Sequence, residues 1–187
     1  KESITKSSFN SHPGIHPDGK FYLATIHRQE NTDDEERLRK IIDSLAELNL
    51  PTYIPSHPRL IKRCQDLNIR LDRGSLRSTD PLSYRELIAT IMQADHVITD
   101  SGGLQKETFH LRTLCTTVRP ETEWVETLTG EWKTYPFKPC SDPKKIPSLV
   151  NKNGYFHPNK KNVKDLAKVD DVYFELKNQI KTALSLG

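Results

Sequence analysis

Short apolar runs alternate with amphipathic segments along most of the chain. Four runs rich in β-branched and aromatic residues predict buried strands: 21–26, 52–55, 96–99 and 114–118. Between them, apolar residues recur at helical spacing, most regularly over residues 38–48, and residues 69–71 form a further candidate strand. Strands and helices that alternate in this way predict an α/β fold with a Rossmann-like, doubly wound parallel sheet.

Capping and breaking residues set the expected element boundaries. Thr32 with Glu35, and Ser83 with Glu86, fit the capping box that begins a helix. The sequence predicts a linker or arm over residues 1–20 and the Rossmann-like core over residues 21–160. It predicts a C-terminal helix over residues 163–187, where apolar residues recur at every fourth position. Proline and lysine are frequent over residues 135–147, which predicts irregular surface structure.

Length and charge narrow the class of protein. A chain of 187 residues suits one domain, and a net charge of +3 gives no support for nucleic-acid binding. No apolar run approaches the roughly 20 residues that a membrane span needs, so no membrane contact is expected. The three cysteines form no CxxC pair, which favours a reducing, cytoplasmic setting.

Polar clusters follow four of the predicted strands at their carboxyl ends. The clusters are His27-Arg28-Gln29-Glu30-Asn31, His57-Pro58-Arg59, Asp100-Ser101-Gly102-Gly103, and the run from Arg119 to Glu123. In open α/β sheets, ligands bind outside the carboxyl ends of the strands. The sequence therefore predicts one site, formed by all four clusters.

The stretch from Asp100 to Glu107 resembles a phosphate cradle in its chemistry. Glycine lets a backbone approach an anion closely, and the first N–H groups of a helix point at that anion. Ser101 offers a hydroxyl donor, and Glu107, about one turn further, suits a ribose or sugar diol. The alternative is that Gly102 and Gly103 serve only to make a tight turn.

The other clusters supply imidazole and guanidinium groups, which together suit a diphosphate. Structural alternatives remain for each: His27 and His57 as capping or turn residues, Arg28 and Arg59 as solvated or surface-paired cations. Neither GxxxxGK[ST] nor GxGxxG is present, which counts against a P-loop and a conventional NAD site. Scattered histidines make zinc a poor fit, so neither metal nor cofactor is expected.

The four clusters, together with Thr122-Glu123-Trp124-Val125-Glu126, occur in an order and spacing that resemble the C-terminal half of the non-hydrolysing UDP-N-acetylglucosamine 2-epimerases. The resemblance covers roughly residues 20–130. It implies a GT-B-type fold of two Rossmann-like domains, of which this chain is the UDP-binding half and the N-terminal catalytic domain is absent. It also implies elimination of UDP anti across C1–C2, followed by re-addition, to interconvert UDP-GlcNAc and UDP-ManNAc for surface polysaccharide.

By this resemblance, His27 is the residue needed for activity, beside the diphosphate. The UDP-binding residues that it implies are Arg28, Glu30, Asn31, His57, Arg59, Ser101, Gly102, Gly103, Glu107, Arg119 and Glu123. Two departures from the family pattern are Trp124, where familiar bacterial members have arginine, and Arg112-Thr113-Leu114 in place of a Gly-Lys-Pro turn.

The expected partners are a UDP-sugar and the missing N-terminal domain, with a homodimer in the full-length form, and the isolated domain is expected to be inactive. Three alternatives stay open. They are an epimerase of a UDP-diacetamido-uronic acid, the donor half of a GT-B glycosyltransferase, and a non-catalytic nucleotide-sugar module.

Overall fold

A parallel sheet forms the centre of the molecule. The computed structural model describes residues 19–111, 113–119 and 138–151. Within these residues six strands are present: β1 (Tyr22–Thr25), β2 (Thr52–Pro55), β3 (Leu76–Thr79), β4 (His96–Thr99), β5 (Cys115–Thr117) and β6 (Lys138–Pro139). Every pair of neighbours is parallel, and the strand order is β3-β2-β1-β4-β5-β6. The predicted α/β class and doubly wound sheet are confirmed.

Helices connect the strands and cover both faces of the sheet. They are α1 (Gln29–Thr32), α2 (Glu35–Ala46), α3 (Pro58–Asp66), α4 (Tyr84–Gln93), α5 (Gly102–His110) and α6 (Ile146–Val150), the last preceded by a 3-10 turn over Pro143–Lys145. On one face, α2, α3 and α6 bury their apolar residues against Ala24 and Ile54. On the other face, α4 and α5 pack on Leu23 and Val97. Alternate residues of β1 therefore enter opposite cores, as a period of two requires.

The buried residues and helix caps show which sequence patterns predicted the helices correctly. Leu38, Ile41, Ile42 and Leu45 of α2 are fully buried, so the predicted helical spacing does mark its inner face. The capping box of Ser83 with Glu86 is present at the start of α4. Residues 1–18 and 152–187 lie outside the described residues, and so do the predicted arm and C-terminal helix.

Three local predictions are wrong. Residues 69–71 form no strand, and the strand in that region is β3, which carries a single apolar residue, Leu76. β3 lies at the edge of the sheet, and only its first and last residues, Leu76 and Thr79, are buried, so its sequence has little apolar pattern. Thr32 does not cap α2, since it ends α1 and donates its hydroxyl proton to the Arg28 carbonyl. Asp34 caps α2 instead, by accepting the backbone N–H of Arg37.

The third wrong prediction concerns residues 135–147. From residue 138 onward this segment belongs to the packed domain, because β6 extends the sheet and Cys140, Ile146 and Val150 are buried. Within the described part of the chain, no helix combines the length and the apolar character that crossing a membrane would take.

Candidate functional site

The strand order changes direction between β1 and β4, and this switch point is where the polar clusters gather. Thr25 and Thr99 are register partners at the carboxyl ends of the two strands, and their hydroxyls lie 2.7 Å apart. The chain leaves β1 towards the α2 face and leaves β4 towards the α5 face. Connections that diverge in this way open a crevice at the sheet edge, which is the usual ligand position in doubly wound folds.

Asp100 is the polar centre of this edge. Its carboxylate is fully buried and accepts the backbone N–H groups of His27, at 3.1 and 3.2 Å, and of Arg28, at 2.9 Å. A third donor, the Asn31 side-chain amide, lies 3.0 Å from Oδ2. Asp100 therefore holds the loop after β1 against the end of β4. The sequence places Asp100 beside the cradle, but this anchoring role was missed because the partners are 69 to 73 residues away.

Asn31 is the buried side-chain partner of Asp100. The side chain is fully buried, and its amide group donates to the Val118 carbonyl at 3.1 Å as well as to Asp100. Its carbonyl oxygen accepts from Arg37 Nε at 2.6 Å, and Arg37 Nη1 donates to the Ser141 carbonyl at 3.1 Å. All of these partners are protein groups, so Asn31 joins Asp100 to α2 and to the segment after β6.

An imidazole, that of His27, and two guanidiniums lie at this edge. The His27 side chain is 51% exposed, and its Nδ1 lies 3.3 Å from Asp100 Oδ1. The Glu30 carboxylate lies between two guanidiniums, with Oε1 3.5 Å from Arg28 Nη1 and 3.8 Å from Arg119 Nε. Arg119 is buried while Arg28 is partly exposed. Two guanidiniums and two carboxylates, those of Glu30 and Asp100, therefore lie at this edge of the sheet.

The cradle forms the first turn of α5. Ser101 is the N-cap residue, and its hydroxyl accepts the Leu104 N–H at 3.3 Å while its own N–H donates to Thr99 Oγ1 at 3.0 Å. Gly102 and Gly103 are the first two helical residues, and neither has the positive φ found at Gly19 and Gly74. A left-handed backbone is therefore not the reason for glycine at either position.

The fold itself gives no reason for a glycine at position 103. Among the described residues, a Cβ built there would meet only Ser101 Oγ, at 3.8 Å, which is an ordinary contact. Gly103 is also exposed at the start of a nine-residue helix. An exposed helix start without a side chain leaves its backbone N–H groups open to an anion, which the helix dipole attracts.

Glu107 lies one turn further along α5 and contacts Tyr84 of α4. The Tyr84 hydroxyl forms a hydrogen bond with the Glu107 carboxylate. Burial raises the pKa of Glu107 above its ordinary value, and the Tyr84 bond acts in the opposite direction. Burial, followed by the same carboxylate, raises the pKa of Tyr84. Tyr84 remains 58% exposed and was not singled out from the sequence, where it reads only as the first residue of a helix.

The cluster after β2 is tied to the loop after β1. His57 caps α3, because its Nδ1 accepts the Arg59 N–H at 3.3 Å. Arg59 donates to both carboxylate oxygens of Asp33, at 2.7 and 3.0 Å, and lowers the pKa of Asp33. Arg63 donates to the carbonyls of Thr32 and Asp33 at the end of α1. Sequence analysis did not identify Asp33 or Arg63, because they join the two loops only in the folded chain.

The described residues thus bring together all but one of the predicted site residues at the carboxyl edge of the sheet. The exception is Glu123, which lies outside the described residues, as do Arg112 and Trp124. Across the described ranges, no three His, Cys, Asp or Glu side chains gather closely enough to hold a metal ion. The arrangement offers a helix N-terminus, imidazole and guanidinium groups, which is chemistry suited to a phosphate-bearing ligand.

The fold is that of a Rossmann-like domain, with a crevice at its topological switch point where phosphate-bearing ligands are commonly bound in such folds. The family model of the UDP-N-acetylglucosamine 2-epimerases matches residues 1–175. The chain therefore belongs to that family.

Curated relatives and a solved structure agree with this family. A UDP-2,3-diacetamido-2,3-dideoxy-D-glucuronate 2-epimerase of Pseudomonas aeruginosa is 42% identical over 112 residues, which cover 58% of this chain and 31% of that protein. A UDP-N-acetylglucosamine 2-epimerase of Methanocaldococcus jannaschii is 31% identical over 135 residues, covering 68% of this chain and 36% of that protein. The chain thus spans about a third of the length of these relatives.

A solved structure of the M. jannaschii enzyme, in complex with UDP-GlcNAc and UDP, superimposes with a TM-score of 0.67 at 27% identity. The superposition covers 81% of this chain and 42% of the solved one. The chain is thus similar, over most of its length, to part of an enzyme that binds a UDP-sugar.

Proposed function

We propose that this chain is the UDP-binding half of a 2-epimerase that acts on UDP-GlcNAc or a close relative. The observation that carries the proposal is the crevice at the β1–β4 switch point in a chain of this family. There His27 lies beside Asp100, just before the glycine-rich start of α5, and Arg28 and Arg119 lie beside Glu30. A diphosphate carries the charge that such a crevice attracts, and its oxygens match arginine and helix N–H donors.

Each part of the crevice has a role in this proposal. Ser101, Gly102 and Gly103 bind the phosphates through the helix N-terminus, and Glu107 accepts from the ribose hydroxyls. Arg28, Arg59 and Arg119 offset the charge of the diphosphate, and Glu30 holds two of these guanidiniums in place. His57 and Glu123 remain predicted contacts. For Asn31 we propose support of Asp100 in place of direct contact with UDP, because its amide is engaged by protein groups.

His27 assists the departure of the diphosphate. In the proposed reaction the C1–O bond of the sugar breaks as a proton leaves C2, anti to it, and UDP then returns to the 2-acetamidoglucal with the opposite configuration at C2. An imidazole beside the diphosphate stabilises the oxyanion as that bond breaks. Carboxylates that move the C2 proton are expected from an N-terminal domain. We propose that this domain and a second copy of the enzyme complete the active form, which serves surface polysaccharide.

A specific observation supports a second candidate function, which differs from the first in the sugar of the substrate. The relative named for UDP-2,3-diacetamido-2,3-dideoxy-D-glucuronate has the higher identity of the two curated proteins described above, 42% against 31%. Full-length enzyme should therefore be assayed with both UDP-sugars, following formation of the C2 epimer by proton NMR. Turnover of the uronic acid alone would assign the chain to that subgroup, whereas turnover of UDP-GlcNAc alone would support the first candidate.

Calorimetric titration of this chain with UDP, UDP-GlcNAc and ADP tests the shared part of the proposal. We expect binding of both uridine ligands, weak or absent binding of ADP, and weaker UDP binding in Ser101→Ala and Glu107→Ala. Matched controls are Ser148→Ala and Glu47→Ala, which remove the same groups from exposed positions distant from β1 and β4 in the chain. The proposal is wrong if neither the folded chain nor the full-length enzyme binds UDP at millimolar concentration.

A further inference from the structure

We propose that Asp100 positions His27 by fixing its tautomer. In this arrangement the neutral ring carries its proton on Nδ1, directed at Asp100, and Nε2 is the nitrogen that meets the ligand. The functional meaning of this inference rests on the proposed role of His27 beside a diphosphate. The tautomer itself does not depend on that role, because it follows from contacts within the domain.

The argument begins with the bonding capacity of Asp100. Its carboxylate is fully buried and accepts from the backbone of His27 and Arg28 and from the side-chain amide of Asn31. A carboxylate engaged by three N–H donors acts only as an acceptor. Any further polar atom that approaches it must therefore bring a proton.

His27 Nδ1 is such an atom, since it lies 3.3 Å from Asp100 Oδ1. An unprotonated Nδ1 would direct its lone pair at an oxygen that is also rich in electrons, whereas Nδ1–H can donate to it. Which ring nitrogen carries the proton is set by the hydrogen bond that the other makes possible. The nitrogen beside the buried carboxylate is thus Nδ1–H, and Nε2 is the nitrogen that keeps its lone pair.

A chain of hydrogen bonds behind Asp100 prevents the carboxylate from turning away. Asn31 donates to Asp100 Oδ2 and accepts from Arg37 Nε at 2.6 Å, and Arg37 in turn donates to the Ser141 carbonyl. Supporting partners of this kind hold a functional group in one orientation. The same chain of contacts links His27 to α2 and to the segment after β6.

His57 provides an internal contrast. Its Nδ1 accepts the backbone N–H of Arg59 at 3.3 Å, so its proton must be on Nε2 when the ring is neutral. The two histidines at one edge of the sheet should therefore carry opposite tautomers. A shared solvent effect cannot produce that difference, because both side chains are exposed residues of the same chain.

The consequence for the crevice is directional. Neutral His27 presents an acceptor, Nε2, to the ligand. A ring that has also gained a proton at Nε2 presents a donor there, while Nδ1–H stays on Asp100. A diphosphate oxygen that becomes an oxyanion would then accept from Nε2–H without any rotation of the ring.

Long-range proton–nitrogen correlation spectra of the 15N-labelled chain test the proposal directly. At alkaline pH, where imidazole is neutral, the shifts of the two ring nitrogens report the tautomer. His27→Gln and His57→Gln assign the two signal sets by their loss. We expect Nδ1–H at His27 and Nε2–H at His57. Nε2–H as the main form at His27 would overturn the proposal.

Asp100→Asn gives the second arm of the test. An asparagine offers an amide donor towards Nδ1, so His27 should lose its Nδ1–H preference in a folded variant. The matched control is Asp95→Asn at the other end of β4, where the carboxylate accepts the Phe21 N–H at 3.1 Å, and it should leave His27 unchanged. Persistence of Nδ1–H in folded Asp100→Asn would contradict the inference. Should that variant not fold, the wild-type tautomers of His27 and His57 decide the question.

The same spectra separate this inference from the proposed function. UDP is added to the wild-type chain, and the ring signals of His27 are followed. Absence of any response to UDP, in the presence of the Nδ1–H tautomer, would count against the ligand and leave the role of Asp100 standing. A response to UDP from a His27 ring that carries its proton on Nε2 would support the ligand and count against the role of Asp100.

Discussion

Gly103→Ala separates the needs of the fold from the needs of the ligand. Among the described residues, the added methyl group would meet only Ser101 Oγ, at 3.8 Å, so that part of the free protein accommodates it. Gly103 already has a helical backbone, and alanine in a helix is favoured over glycine by up to about 0.5–1 kcal/mol. We therefore expect unchanged or slightly greater stability, with a rise in Tm of at most about 2–4 °C for a chain of this size.

The effect on UDP binding should be opposite in sign. If a phosphate packs against the Gly103 backbone, the methyl group occupies part of its space. Forcing one extra carbon into a close-packed contact costs about 1–3 kcal/mol. This corresponds to a roughly five- to 150-fold weaker Kd for UDP. Titration calorimetry gives the Kd, and thermal unfolding of the same samples gives the stability.

Gly74→Ala is the matched control. Gly74 has a φ of +53°, and a Cβ there would collide with the carbonyl oxygen of Ala46. The left-handed backbone alone costs about 1–2 kcal/mol for a residue with a side chain. This variant should therefore lose stability while its folded fraction keeps the wild-type Kd for UDP. The reasoning is refuted if Gly103→Ala binds UDP as tightly as the wild type.

Four further predictions concern individual side chains. Tyr84→Phe should raise the pKa of Glu107 further, because it removes the bond that opposes the effect of burial, and carbon NMR titration of the carboxyl group checks this. Since the folded pKa of Glu107 is raised, its contribution to stability falls as the pH rises from the ordinary glutamate value through the folded one. Glu107→Gln should therefore stabilise the chain more at neutral than at acidic pH in urea unfolding, and an equal effect at both would contradict the assignment.

Asp100→Ala should lower the free energy of unfolding, measured in urea, by at least about 3 kcal/mol. The variant leaves three N–H donors without their acceptor, and each costs about 1–3 kcal/mol. A loss below about 1 kcal/mol would refute the anchoring role of Asp100. Burial raises the pKa of Cys115 to about 12 and those of Cys64 and Cys140 to about 11. The native chain should therefore resist a thiolate-selective reagent at pH 8, and fast labelling before unfolding would contradict this.

Local sequence patterns were sufficient for much of the architecture. Four strands, the inner face of α2 and the cap of α4 follow from periodicity and capping chemistry, which involve residues only a few positions apart. The gathering of the polar clusters also follows, because parallel strands carry their carboxyl ends to one edge. β3 was missed since an edge strand with one apolar residue has almost no pattern to detect.

Only the tertiary structure shows which role each polar residue of the crevice has. From the sequence, Asn31 and Asp100 are two polar residues near a predicted site, 69 positions apart. In the folded chain Asp100 anchors the loop that carries His27, and Asn31, which is itself held by Arg37, supports Asp100. Such roles depend on which buried donors meet which acceptors across the switch point. Local propensity carries no record of those pairings, because they exist only once β1 and β4 lie side by side.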